Sequence, residues 1–191
     1  MRDDSRGVAG GQARGEPSAA VRPWREVLAR APLSTALATV GGVGLLPGPA
    51  GTWGSAAAVL LGEALVRGGG LLPLGLLALA STFAGIPASE RVARLRGDSD
   101  PHEVVVDEVA GQSIALLGLH AFLPAASAGP LGWGLVVAAF LLFRLLDVVK
   151  PGPIDTLQRL PGGLGVMADD VAAGAIVACL FGLAALGGLL R

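Results

Sequence analysis

Residues 131–155 read LGWGLVVAAFLLFRLLDVVKPGPID. Positions 131–149 form an apolar stretch of near-spanning length, since crossing a bilayer takes about 20 apolar residues. Within lipid such a segment must satisfy its backbone groups internally, which predicts a helix. Arg144, Asp147 and Lys150 recur at every third residue, so on one helix they share a broad face that can turn inward as a polar stripe of both signs. Pro151 follows at once and is expected to stop the helix.

Four more apolar stretches lie at about 53–66, 71–88, 109–125 and 171–190. The first is shortened by Pro47, Gly48, Pro49 and Gly51, because proline removes a donor and glycine permits positive φ; Thr52 is the expected N-cap of what comes next. The predicted fold class is all-α, a polytopic membrane helix bundle of four full spans plus a short or broken first helix. Composition agrees: 52% of the residues are hydrophobic and 15% charged, against roughly 45–50% and about 25% in soluble domains. The 30 glycines suit helices that approach closely in lipid.

Ahead of the bundle, residues 1–30 mix Gly, Pro and Ser with Arg2, Arg6, Arg14, Arg22, Arg25 and Arg30. No apolar core follows the early charges, so a tail rather than a cleaved signal is expected. Trp24 to Leu37 suits a short interfacial helix. The domain organisation is therefore a disordered or interfacial tail over residues 1–35 and a membrane-embedded domain over residues 36–191.

If five helices cross and the N-terminus is inside, eleven Lys or Arg residues lie on the cytoplasmic side. Arg67 and Arg191 alone lie opposite. The positive-inside rule then fixes the orientation. The net charge of -1 excludes a nucleic-acid partner, which needs a concentrated basic surface. Cys179, the single cysteine, rules out an intramolecular disulfide and a thiolate cluster and is expected to be inert packing.

Four segments break the apolar pattern: PGPAGTWGS (47–55), DPHEVVVDEVAG (100–111), FRLLDVVKPGPID (143–155) and GGLGVMADDVAAG (162–174). All four fall at cytoplasmic helix ends in this topology. A carboxylate near the bilayer centre costs on the order of 2.5–3.5 kcal/mol, so Asp107, Glu108, Asp147, Asp169 and Asp170 need partners. Each acid pair, Asp107 with Glu108 and Asp169 with Asp170, is expected to open a helix, where simple dipole capping is the plainer reading. Several carboxylates converging with two cations describe instead a magnesium-phosphate site, since hard divalent cations take oxygen ligands and phosphate takes Arg, Lys or backbone N–H groups. The turn into Thr52, Gly54 and Ser55 adds backbone donors.

Other phosphatase chemistries fit poorly. The residue six after Cys179 is Ala185, not the Arg that a cysteine phosphatase needs. His102 and His120 are not paired in Arg-flanked motifs, and the Asp98 and Asp100 pair lacks a preceding apolar strand. A small membrane cation transporter is the competing class, but Arg144 and Lys150 would repel its cargo.

Together the four segments resemble the phosphatidylglycerophosphatase A family over roughly residues 40–180. Its hallmarks are a PGTxGS turn, a DE(x)xG helix start, an FRxxDxxKPxPI stretch and a GGxGIMxDDxxAG block. The matching positions are Thr52, Gly54, Ser55, Asp107, Glu108, Arg144, Asp147, Lys150, Pro151, Gly162, Gly163, Asp169 and Asp170. The turn departs by inserting Pro49 and Ala50, and Gln158 stands where an acid is expected. The resemblance implies Mg²⁺-dependent hydrolysis of phosphatidylglycerophosphate, on the way to phosphatidylglycerol and cardiolipin, at the cytoplasmic face of a bacterial inner membrane. The phospholipid substrate and the membrane are the implied partners.

The roles expected from both lines of reading are these. Asp107, Glu108, Asp169 and Asp170 hold the metal. Arg144 and Lys150, with Thr52, Gly54 and Ser55, bind phosphate, while Asp147 orients the cations or acts as base. Asp107, Asp147, Asp169 and Asp170 form the catalytic set.

Overall fold

A computed structural model describes residues 21–124 and 129–188. Within them the chain is all-helical: α1 (Trp24–Arg30), α2 (Pro32–Ala38), α3 (Ala50–Gly69), α4 (Leu71–Arg96), α5 (Val106–Phe122), α6 (Gly129–Val149), α7 (Pro153–Leu157) and α8 (Gly163–Leu186), with a 3-10 turn at Val43–Leu45.

Among the described residues three helices, α4, α6 and α8, are long and apolar enough to cross a membrane. The expected fourth, α5, has only 17 residues. It can be short because α3, α4, α6 and α8 surround it, and twelve of its residues are buried. Conversely α3 is neither short nor broken; it runs for 20 residues. Pro49, extended at φ -76° and ψ 97°, takes the N-cap place expected of Thr52, because the helix begins as soon as the chain leaves that proline. Irregular backbone is confined to the segment before it.

The core is set by glycines that let α5 cross α8. A Cβ at Gly111 would strike the backbone of Asp170 and the Phe143 ring, and one at Gly174 would strike the backbone of Gly111. Gly118 meets Ala178 in the same way further along. Phe143, fully buried, fills the space beside this crossing, and Leu116, Leu119 and Val177 continue the core. Small residues thus act through contact, as expected where packing drives helix association in lipid.

The start of α8 departs from expectation. Asp169 and Asp170 stand in its second turn, because the helix begins at Gly163. Gly162, at φ +63°, ends the preceding loop, and Gly163 passes so close to the Ile86 carbonyl that any side chain would collide. Gly163 thus serves close approach to α4, and both acids lie beyond the first turn of α8, so dipole capping does not account for this pair. Cys179 is exposed on the outer face of α8 rather than packed inside.

Ahead of the bundle, α1 and α2 break at Ala31, whose φ is -148°. Trp24 Nε1 donates to Glu103 at 2.8 Å and Arg96 stacks 4.8 Å from the Trp24 ring centroid, so this segment is tied to the loop between α4 and α5.

Candidate active site

Helices α3, α5 and α8 begin, and α4 and α6 end, at one side of the bundle. There they enclose a cavity of about 1040 Å³. All four polar segments contribute lining residues: Gly48–Gly51, Asp98–Asp100 with Asp107 and Glu108, Arg144 with Asp147 and Lys150, and Gly162 with Asp169 and Asp170. A space this size is at the upper end of small-ligand sites.

The acids are brought together by the α5–α8 crossing. Because Gly111 lies against the backbone of Asp170, the first turn of α5 faces the second turn of α8. One oxygen from each of Asp107, Glu108 and Asp170 lies within 4.8 Å of the others. Among the described residues, buried Glu108 Oε2 and Asp170 Oδ2 have no hydrogen-bond partner. Carboxylates so close, with orphaned oxygens, need a counter-charge. A divalent cation with oxygen ligands suits them, and this donor set fits Mg²⁺.

Asp169 faces elsewhere. Its Oδ2 accepts from Lys150, while Oδ1 is buried with no partner among the described residues. Lys150 also donates to Gln158 Oε1 at 2.9 Å and lies 3.9 Å from Asp147 Oδ1. Burial alone would lower the Lys150 ammonium, but the hydrogen bond and charge of Asp169, backed by Asp147 and Asp170, outweigh it and hold its pKa above the usual value. Lys150 sits just past the end of α6 at φ +45°, an uncommon conformation for a non-glycine residue. This bend carries the side chain from the α6 stripe toward α8.

Arg144 completes the cationic pair. Its Nη1 is 2.5 Å from Asp147 Oδ2 and 3.7 Å from Glu108 Oε1. Asp147, 9% exposed, thus holds both cations. A Cβ at Gly51 would meet both Glu108 Oε1 and the Arg144 guanidinium, so only glycine there leaves room for that pair.

The Thr52 turn is not part of this grouping. Gly48 to Gly51 line the cavity, whereas Thr52, Gly54 and Ser55 do not. Gly54 packs on Val105, and the buried Ser55 hydroxyl donates to its own helix at Gly51 O, 2.8 Å away. His102 lines the cavity. Asp100 lines it too; partial burial in the loop, offset by Lys150 and reinforced by Asp169, raises its pKa above 3.8. At the opposite end of the bundle Glu63 Oε1 lies 2.7 Å from His120 Nε2, both residues buried.

The profile of the family described as Phosphatidylglycerophosphatase A matches residues 36–185. The chain belongs to the phosphatidylglycerophosphatase A family. Membership makes it a phosphatase. Among relatives, "Phosphatidylglycerophosphatase A" of Escherichia coli is 35% identical over 141 residues, covering 72% of this chain and 74% of the relative. The Haemophilus influenzae protein of the same name is 33% identical over 133 residues, or 69% and 76% of the two chains. A Bacteroides thetaiotaomicron protein named "Putative phosphatidylinositol-3-phosphatase" is 42% identical over 98 residues, spanning 51% of this chain and 57% of that relative. No solved structure is significantly similar. Phosphatidylglycerophosphatase A membership accords with the cavity, where both of the most distinctive motifs, 143–155 and 162–174, supply lining residues.

Proposed function

We propose that this protein is a Mg²⁺-dependent lipid phosphatase that hydrolyses phosphatidylglycerophosphate to phosphatidylglycerol and phosphate, in phosphatidylglycerol and cardiolipin biosynthesis. The observation that carries it is the juxtaposition, in one cavity, of the Asp107, Glu108 and Asp170 triad with Arg144 and Lys150. Asp107, Glu108 and Asp170 would hold the ion, which supplies Lewis-acid charge at the phosphoryl oxygens.

The chain's own groups do the rest. Arg144 and Lys150 bind the phosphate oxygens and stabilise charge as it develops. Asp147 fixes the guanidinium and lies near the ammonium, which keeps both oriented before substrate arrives. Asp169 holds Lys150 toward α8. The first turn of α3 leaves the N–H groups of Ala50 and Gly51 beside the same space, a seat for anionic oxygen.

In this reading α3 to α6 and α8 cross alternately, with α5 shielded inside. The cavity opens to the cytoplasm of a bacterial inner membrane, the orientation favoured by eleven basic residues against two. The test is phosphate release by purified protein from phosphatidylglycerophosphate, with and without Mg²⁺, beside phosphatidylinositol 3-phosphate as the competing substrate. Magnesium-dependent release from phosphatidylglycerophosphate is expected; preference for the inositol lipid would overturn the substrate assignment.

A further inference from the structure

Below the cavity, the seam between α3 and α6 opens into a second hollow of about 290 Å³. Ala56, Val59 and Leu60 form one wall, Val136 and Phe140 belong to the other, and among the described residues no charged side chain lines it. The α6 wall continues to Trp133, so its residues recur at helical spacing as one stripe. That stripe faces α3 without filling the space between them.

Both ends of the hollow are defined. At one end, Gly51 lies five residues before Ala56 on α3, and Arg144 one turn after Phe140 on α6; Gly51 and Arg144 both line the catalytic cavity. At the other end, the Arg67 guanidinium of α3 stacks 4.6 Å from the Trp133 ring centroid of α6 and clasps the seam shut. Arg144 and Trp133 are eleven residues apart. That is about 16 Å of helix rise, close to half of a hydrocarbon core of about 30 Å.

We infer that this seam is the subsite for one acyl chain of the substrate lipid, an inference that rests on the lipid-phosphatase reading above. The phosphate monoester enters the cavity while a fatty acyl chain lies along α3 and α6 as far as the Arg67–Trp133 clasp. Such a lipid matches both halves: an anionic head for Arg144 and Lys150, and a hydrocarbon tail for a hollow that offers apolar surface alone. The surrounding bilayer is as apolar as the hollow, so burial itself gives no preference. What the hollow contributes is register, because a held tail fixes how far the head extends into the cavity.

Two variants fill the hollow. Ala56→Phe adds a ring at its cavity end, and Leu60→Trp adds bulk from a residue that is 71% exposed and outside the core. Phosphate release is measured with dioleoyl and with dibutanoyl phosphatidylglycerophosphate, the latter too short to run along the seam. The expected result is that kcat/KM for the dioleoyl lipid falls at least about tenfold in both variants, as misregistered substrate predicts, while the dibutanoyl value stays at wild type. Equal loss on both lipids, or no loss in either variant, would overturn the subsite. Wild-type protein that releases phosphate from neither lipid would instead refute the phosphatidylglycerophosphate assignment on which the subsite rests.

Discussion

Lys150, just past the end of α6, donates to Asp169 in the second turn of α8. This contact joins two motifs that are separate in the sequence, and it leaves Asp169 outside the acid triad. Lys150→Gln should lower kcat/KM by about two to three orders of magnitude, the cost of losing a charge that contributes as the transition state forms. Asp169→Asn should lower turnover by at least about a hundredfold. The double variant should lose little beyond the worse single one, because one contact is broken in each case. Simple multiplication of the two losses, measured by steady-state kinetics, would contradict a shared role.

Magnesium dependence should separate the acids. Asp170→Asn, Asp107→Asn and Glu108→Gln each remove a member of the clustered triad, so each should raise the magnesium concentration for half-maximal phosphate release by at least about tenfold. Asp169→Asn should reduce turnover with that concentration little changed, since its oxygen is engaged by Lys150. Chelation with EDTA should abolish wild-type activity, and magnesium should restore it. A uniform shift across all four variants would return Asp169 to the ligand set.

Much of this site was legible because charge in an apolar run is conspicuous. Arg144, Asp147 and Lys150 stand out in residues 131–155 at a spacing that a helix turns to one face, and the structure keeps Asp147 between both cations. The start of α8 was less legible: Asp169 and Asp170 read as opening it, whereas the helix begins at Gly163, where Gly163 and Gly165 lack the Cβ that would strike the backbone of α4 and of residues 158–160. The Thr52 turn misled for a related reason: Gly54 serves packing against Val105, and the cavity wall falls on Gly48 to Gly51 instead. Glu63 and His120 were each a lone polar residue in an apolar run, and only the fold places them together across 57 positions.

The crossing of α5 and α8 can be tested with alanine. Gly111→Ala and Gly174→Ala each push a Cβ into backbone of the facing helix, an obstacle that no side-chain rotation relieves. Each should destabilise the protein by about 1–3 kcal/mol or more and separate the triad, lowering activity as well. Gly75→Ala has open space around its Cβ and should be neutral or slightly stabilising in a helix. Thermal denaturation in one detergent compares all three; an unaffected Gly111→Ala would mean that the helices lie further apart than described.

Asp100 provides a pH-dependent check in the loop outside the helices. Partial burial raises its pKa above 3.8, so folding favours the protonated form. That stability is present below the unfolded value and is lost as pH rises through the folded one. Asp100→Asn keeps the neutral form at every pH, so its melting temperature should rise relative to wild type as pH increases from 3.8 toward neutrality. A difference independent of pH would show that Asp100 titrates alike in both states.

The Glu63–His120 pair permits a prediction in the opposite sense, a stability loss without a catalytic one. Glu63 on α3 reaches His120 on α5 at 2.7 Å and Arg67 at 3.4 Å, and both Glu63 and His120 are buried. The pair lies near the far ends of its helices, away from the cavity at the starts of α3 and α5. Glu63→Ala removes a buried acceptor serving two neighbours and should cost about 1–3 kcal/mol, the penalty for removing a buried hydrogen-bond partner. Glu63→Gln retains an acceptor and should cost less. Below its lowered melting temperature, Glu63→Ala should hydrolyse a short-chain lipid with near wild-type kcat/KM, since no cavity-lining group has been removed. A large loss of kcat/KM in protein shown to be folded would mean that the two ends of the bundle are coupled through α3 and α5.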